Sequence, residues 1–335
     1  MAENRSYIRV NDFAPKDGLL HVFFKKVGEK KSDGFAFVID GEIFVIDSGK
    51  YLDDGMFEYL GALRERWLKG KKDLGEEAKL EIHIIISHPH SDHAYTLPKI
   101  ISDPRFRVLS LCAPQKAYLS GDVEGALPSL TRFENKIVEL VGLLKEYNHP
   151  AQDVNYLPFG KKISIEVQNK KVALTIYTTP YDWSTTRENE NEGFALLRKY
   201  TSETYKDEPE LGLSNGVANG NSLWVKAAIG DQSILITGDQ RDSKEMLDAL
   251  IQFHGEENFR CDILKYPHHG EKNYSPYMMK VSSPKITVIT TTKPLVNPKL
   301  TDLCENYGKV FFLHEGDLFL TMDGKTIQTS GIEAK

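Results

Sequence analysis

His88-Pro89-His90-Ser91-Asp92-His93, directly after the apolar run Ile82-His83-Ile84-Ile85-Ile86, is the stretch that decides the reading of this chain. The run is short and β-branched, so it predicts a buried strand that delivers the hexapeptide into a loop. His88 and His90, two apart in extended chain, share a side. Asp92 and His93 follow where the chain turns and reach a second position nearby. Imidazole nitrogen and carboxylate oxygen are ligands that borderline divalent metals accept, and catalytic two-metal sites hold their ions roughly 3.5–4 Å apart. Three of ten histidines within six positions beside a strand favour a metal site over a polar surface loop.

Outward from this point the chain alternates strands and helices. Gly34 to Ile39, Asp40-Gly41, and Glu42 to Ile46 outline a hairpin with the Asp-Gly pair favoured in type I′ turns. Its second strand ends at Asp47-Ser48-Gly49. Met56, Leu60, Leu63 and Trp67 recur at helical spacing, as do Ile137, Leu140, Val141 and Leu144. The second of these helices stops before Asn148-His149-Pro150, and His149 reads as a helix-end residue. Further strands are expected at Arg107–Cys112, Ile163–Val167, Val172–Tyr177, Ser222–Ile229, Ser233–Thr237, Ile263–Tyr266, Ile286–Thr291, Val310–Leu313 and Leu318–Met322. Helices are expected near Lys244–Phe253 and Lys299–Tyr307. Strands and helices in both halves predict an α/β (α+β) chain with two sheets between helical layers.

With 335 residues, 40% hydrophobic and 27% charged, the composition is that of a globular protein with a large core. A formal net charge of −6 argues against strong general nucleic-acid affinity. Cys112, Cys261 and Cys304 lie far apart, which predicts a reduced, cytoplasmic protein. No run reaches membrane-spanning length, so no membrane association is expected. The segment 182–216, with eight acidic residues against four basic ones and little strand patterning, reads as a flap over the site or an insertion, with a short helix at Phe194–Leu197.

Two further β-rich runs end in metal-ligating types. Ile234-Leu235-Ile236-Thr237-Gly238-Asp239 places a carboxylate at a strand end, where it can bridge two cations or simply cap a turn. Ile263-Leu264-Lys265-Tyr266-Pro267-His268-His269-Gly270 places two imidazoles at another. Neighbouring side chains diverge, so one of the two faces inward. His268 is favoured as the ligand, with His269 nearby against the ligands or the substrate.

Taken together, Asp47, His88-x-His90-x-Asp92-His93, Thr237-Gly238-Asp239 and the strand-end His268 resemble the metallo-β-lactamase superfamily over about residues 20 to 325. The resemblance implies one αββα metallo-β-lactamase-like sandwich, two mixed sheets flanked by helices, spanning residues 1–335. It implies a dinuclear site of zinc or manganese, with iron as a third choice. His88 and His90 would bind the first ion, Asp92 and His93 the second; Asp239 would bridge and His268 complete the second. Asp47 would orient ligands from behind. Asn219-Gly220-Asn221-Ser222-Leu223, Leu235 to Asp239, Leu264 to Gly270, Asn297-Pro298 and a C-terminal hairpin Phe311–Met322 are more narrowly similar to the soluble domain of the DNA-uptake protein ComEC. The family's Gly-His-Thr motif before the bridging aspartate is absent. Asn221 stands 18 residues before Asp239, and no histidine lies between His149 and His254. Asn219 or Asn221 would offer only a weak amide oxygen, which favours a harder ion such as manganese.

What this implies is a metal-dependent hydrolase of a phosphodiester or similar anionic ester. A water held between two cations would lose its proton near neutral pH and attack. Asp92 would orient it, and His269, Lys265 or Tyr95 would serve the leaving group. Hydrolysis of a lactone, thioester or lactam is the alternative within enzymes, and metal binding for sensing without turnover is the alternative outside them. The expected partner is a small-molecule or phosphodiester substrate.

Overall fold

The computed structural model describes residues 7–28, 30–50, 53–74, 77–88, 90–115, 128–181, 216–240, 244–271 and 275–334. The flap or insertion expected at 182–216, with its short helix at 194–197, lies outside these residues except for Gly216. One sheet contains β1 (Ile8–Arg9), β2 (Leu20–Phe24), β3 (Gly34–Ile39), β4 (Glu42–Ser48), β5 (Ala78–Ile85), β6 (Phe106–Pro114), β7 (Asn155–Leu157), β15 (Leu318–Met322) and β16 (Ile327–Gly331). Its order is β16-β15-β2-β3-β4-β5-β6-β7, with β1 beside the start of β5. The other contains β8 (Lys162–Ile165), β9 (Val172–Tyr177), β10 (Trp224–Ile229), β11 (Gln232–Ile236), β12 (Ile263–Lys265), β13 (Ile286–Ile289) and β14 (Lys309–Phe312), in the order β14-β13-β12-β11-β10-β9-β8. Both are mixed: β4, β5, β6 and β7 run parallel, as do β11 to β14, and the remaining ladders on each path are antiparallel.

Three apolar layers hold the sandwich. Period-two alternation sends Phe44 and Ile46 of β4 toward the facing sheet, where they pack with Val225, Ile234, Ile263 and Val288. Ile43 and Val45 of the same strand point the other way. They meet the outer layer of α1 (Gly55–Trp67), α3 (Leu97–Ser102) and α4 (Pro128–Glu146) through Met56, Leu60, Leu63, Ile100, Leu140 and Leu144. On the far side α5 (Lys244–His254), α6 (Pro276–Ser282) and α7 (Pro298–Glu305) cover Leu235 and Leu264 with Leu247, Leu250, Met279 and Leu300. The αββα sandwich read from the sequence is therefore the observed fold. No helix among the described residues is long and apolar enough to cross a membrane.

Local chemistry sets the connections. Ile39 pairs with Glu42, and Asp40 and Gly41 both take positive φ (47° and 94°), the two-residue type I′ turn expected of Asp-Gly. His149 is a packing residue: its Nδ1 accepts from the Val108 N–H at 3.1 Å and its Nε2 donates to the Ile101 carbonyl at 2.7 Å. One expectation is corrected. Phe311–Met322 is not a hairpin, because β14 pairs parallel with β13 in one sheet whereas β15 pairs with β2 and β16 in the other. The short link between them crosses the sandwich.

The N-terminal segment is pinned by one buried amide. Asn11 donates to the Gly41 and Glu81 carbonyls and accepts the Glu81 N–H at 2.7 Å. Removing it leaves buried backbone groups of two strands unpaired. Asn11→Ala is expected to lower unfolding stability by about 1–3 kcal/mol, read from urea unfolding; an unchanged midpoint would show the contact to be incidental.

Candidate metal centre

The parallel strands of both sheets deliver their carboxyl ends to one place. Asp47 stands at the end of β4, the hexapeptide follows β5, Asp239 follows β11, and His269 follows β12. The loop after β5 turns at once into the short helix α2 (Ser91–Ala94), which brings Asp92 and His93 round beside His88. The His88 and His93 ring centroids are 3.9 Å apart. Gly238 precedes Asp239 for a steric reason. A Cβ there would lie 2.6 Å from Ser222 Cβ and 3.2 Å from Ser87 Oγ, so only glycine lets the two loops close.

Three imidazoles converge on a single carboxylate oxygen. Asp239 Oδ2 lies 2.9 Å from His269 Nε2, 3.4 Å from His93 Nε2 and 3.8 Å from His88 Nε2. Asp92 Oδ2 is 3.3 Å from His269 Nε2. The opposite nitrogens are held by carboxylates. His93 Nδ1 donates to Asp47 Oδ2 at 2.8 Å, and His269 Nδ1 donates to Asp33 Oδ1 at 3.0 Å with Thr290 Oγ1 at 2.9 Å. Asp47 is fixed in turn by the Ser87 N–H (2.7 Å) and hydroxyl (2.6 Å). Since Ser87 gives its only hydroxyl proton to Asp47, His88 Nδ1, 3.2 Å away, donates to Ser87 Oγ and keeps its Nε2 lone pair toward the site. Carboxylate-backed imidazoles with Nε2 presented inward are the arrangement of metal-ligating histidines.

The residues fit a metal ion. Asp33, His93, Asp239 and His269 each offer a ligand atom within 4.8 Å of the others. Asp33 lies on the Nδ1 side of both rings, so it orients them while Asp92 takes its place among the inward groups. Bonds of about 2.0–2.2 Å hold neighbouring ligand atoms roughly 2.9–3.5 Å apart, and the 2.9, 3.3 and 3.4 Å separations around His269, Asp92, His93 and Asp239 match that spacing. His93 Nε2, His269 Nε2, His90 Nε2 and Asp92 Oδ2 are buried and make no hydrogen bond of good geometry with any described residue. Four buried carboxylates, Asp33, Asp47, Asp92 and Asp239, face one buried ammonium, that of Lys265. Such an excess of negative charge away from water calls for cations or protons.

In the metal-free protein protons supply part of that charge. Burial alone would lower the His93 pKa, but Asp239 and Asp47 outweigh it and raise it to about 10. His269 is likewise raised well above the ordinary value by Asp239 and Asp33 against the cost of burial. His88 and His90 go the other way, His90 to about 4, because burial dominates. Burial opposes ionisation of Asp92 and Asp239 too, yet the neighbouring imidazoles hold both well below the usual carboxylate range.

The other residues singled out from sequence have definite places. His268 lies beside the cluster with its ring centroid 6.0 Å from that of His269, and the ring that enters the cluster is that of His269. Both residues adopt left-handed backbone (φ 49° and 59°), an arrangement that costs bulky residues about 1–3 kcal/mol each and gathers at functional sites. Lys265 is fully buried on the protein side of the centre, paired with Asp33 and 3.5 Å from Asp239 Oδ1. Tyr95 is half-buried with the Lys136 ammonium 4.5 Å from its ring centroid. Asn221 donates to the Gln115 carbonyl at 2.7 Å, whereas Asn219 Oδ1 is buried with no hydrogen bond to any described residue. Their turn is laced to the centre, Leu223 N–H donating to the Ser87 carbonyl and Asp239 N–H to Ser222 Oγ. Asp33, absent from the sequence reading, resembles a turn residue beside Gly34. Lys265 carried a usable signal, since alternation along β12 puts it on the same face as the inward Ile263.

No protein-family model matches the chain, and no curated protein matches it. Solved structures do. The metallo-β-lactamase fold protein YhfI from Bacillus subtilis aligns over 93% of this chain and 100% of its own, at 10% identity and TM-score 0.45. Zinc-bound PqqB from Methylobacterium extorquens aligns over 90% and 99%, at 10% identity and TM-score 0.43. The short form of human tRNase Z aligns over 82% and 94%, at 11% identity and TM-score 0.40.

The raised imidazole pKa values make a signed prediction. Protonated His93 stabilises the metal-free fold fully below about pH 6.5, and that contribution is lost as pH rises through about 10. A metal must displace these protons. Zinc uptake at pH 7 is expected to release about one to two protons per chain, and affinity is expected to rise with pH. Calorimetric titration in two buffers of different ionisation enthalpy reads the number; uptake without proton release would contradict the assigned donors.

Proposed function

We propose that this chain is a metal-dependent hydrolase that cleaves a phosphodiester or a similar anionic ester. The observation that carries the reading is the convergence of the His88, His93 and His269 Nε2 atoms on Asp239 Oδ2 at the carboxyl ends of parallel strands. Asp92, His93, His269 and Asp239 would hold one ion with four protein atoms. His88 Nε2 and His90 Nδ1, 3.1 Å apart, would hold a second together with Asp239. This second position has fewer donors, and Asn219 Oδ1, buried with no hydrogen bond to any described residue, would be the candidate to add one. Divalent ions held there would supply an activated water and would screen the charge that develops on the substrate oxygen.

The protein side of the chemistry follows from placement. Lys265 pairs with Asp33 and lies 3.5 Å from Asp239 Oδ1, which leaves Asp239 Oδ2 turned toward the Nε2 atoms of His269, His93 and His88. Asp47 and Asp33 fix the ring planes of His93 and His269. Lys31, partly exposed at the rim, lies between Glu271 Oε2 at 3.4 Å and Asp92 Oδ2 at 3.8 Å. It is placed to meet a phosphoryl oxygen, which favours an anionic ester over a neutral acyl substrate.

Purified protein loaded with manganese or zinc is expected to hydrolyse bis-p-nitrophenyl phosphate and to leave nitrocefin and simple lactones untouched. His93→Ala and Asp239→Ala are each expected to lower kcat/KM by at least roughly 100-fold, more than loss of an orienting partner costs. Turnover of acyl substrates alone, or full activity in either variant, would overturn the reading. The unequal donor sets carry a separate prediction. One ion per chain should survive desalting and a second should be lost, as read by elemental analysis; two ions retained equally would show the positions to be equivalent.

A further inference from the structure

Lys25, directly after β2, is buried, and three glycines make room for its side chain. A Cβ at Gly34 would lie 3.1 Å from Lys25 Cδ, one at Gly49 2.5 Å from its Cε, and one at Gly55 3.2 Å from its Cγ. The ends of β2 and β4 and the starts of β3 and α1 thus close around one lysine stem. The ammonium donates to the Lys26 carbonyl at 2.8 Å and pairs with Asp53. Burial lowers the Lys25 pKa, and Asp53 opposes that shift most. A buried ion pair is weak ground for stability, since well-packed apolar side chains of similar volume often serve as well. What this one does supply is a fixed position for Asp53.

Asp53 belongs to a turn that holds two metal-centre residues from behind. Its N–H donates to the Lys50 carbonyl at 3.0 Å, and Thr96 Oγ1 lies 3.0 Å from both the Lys50 and the Asp53 carbonyl. Thr96 stands just past α2, the helix that carries Asp92 and His93. At the other end of the turn Gly49 bridges to Ala94. The Gly49 N–H donates to the His93 carbonyl at 3.2 Å, and the Gly49 carbonyl accepts the Tyr95 N–H at 3.3 Å. The Lys50 N–H donates to Ser32 Oγ, and the adjacent Asp33 N–H donates to the Asp92 carbonyl, each at 3.0 Å. The backbone of both ligands is therefore set against the turn that Lys25 pins. Resting on the metal centre of the hydrolase reading above, we propose that Lys25 is a positioning residue for the metal: through Asp53 and Thr96 it fixes α2 where Asp92 and His93 meet the cation.

Zinc affinity, measured at pH 7 by competition with a chromophoric chelator, tests this apart from turnover. Lys25→Met keeps the stem between the glycines and removes the charge. It is expected to bind the first zinc at least about tenfold more weakly, the lower end of what loss of an orienting partner costs. The melting temperature of the metal-free chain should move by less than about 4 °C, which a merely structural role would not leave so nearly unchanged. Thr96→Val cuts the link to α2 at constant volume and is expected to weaken zinc as well. The double variant should lose no more than about twofold beyond the weaker single one, because both changes act through one chain of contacts. Native zinc affinity in Lys25→Met, or losses that multiply in the double variant, overturns the proposal. Native affinity in Thr96→Val overturns it too, whatever the folding of the Lys25 variant. Two controls separate the claims. Native zinc affinity in His93→Ala removes the metal centre and this proposal with it. If the zinc losses appear but the native protein does not hydrolyse bis-p-nitrophenyl phosphate, the hydrolase reading falls and the role of Lys25 at the metal stands.

Discussion

The fold depends at its working edge on a charge imbalance that the interior cannot tolerate alone. Asp33, Asp47, Asp92 and Asp239 are all buried, and Lys265 is a fully buried lysine set among them. Carboxylates in such a setting persist only when other positive charge or strong donors meet them. Ser87 meets Asp47 with two hydrogen bonds, Lys265 meets Asp33 and Asp239, and His93 and His269 link the two halves of the sandwich through the carboxylates on either side of each ring. The centre is therefore both the candidate reaction site and a stitch between the sheets.

The two orienting carboxylates are not equivalent. Asp47 has no lysine partner, only the Ser87 N–H and hydroxyl and the His93 ring, and burial, the largest influence, raises its pKa. It is thus a strong hydrogen-bond acceptor for His93. Asp33 shares its charge with the Lys265 ammonium, which opposes burial and keeps it ionised. His269 rests on the less basic partner. The strain stored at His268 and His269 points the same way: two successive left-handed residues are tolerated because the turn they make drives His269 between Asp33 and Asp239.

Much of this was legible in the residue order because it rests on local rules. The Asp40-Gly41 turn, the helix from Met56 to Trp67 and the strand that launches His88 all follow from short-range periodicity and turn chemistry. The hexapeptide and the Thr237-Gly238-Asp239 strand end marked five of the inward groups in the same way. What escaped depends on distant pairing or on uncommon backbone. Asp33 reads as a turn residue until β3 lies beside β4 and the facing sheet. His268 and His269 cannot be ranked by alternation, since a left-handed pair resets it. The crossing from β14 to β15 resembles a hairpin in length and composition, and only strand partners hundreds of residues away, such as β2, send it to the other sheet.

The central claim is that His93, His269, Asp92 and Asp239 surround a cation. Anomalous diffraction at the metal edge, on crystals grown with manganese or zinc, tests it most directly. The account predicts a peak about 2.0–2.2 Å from His93 Nε2, His269 Nε2 and oxygens of Asp92 and Asp239. A metal-saturated crystal with no peak there, or a peak coordinated by His268 with His269 turned away, would contradict it.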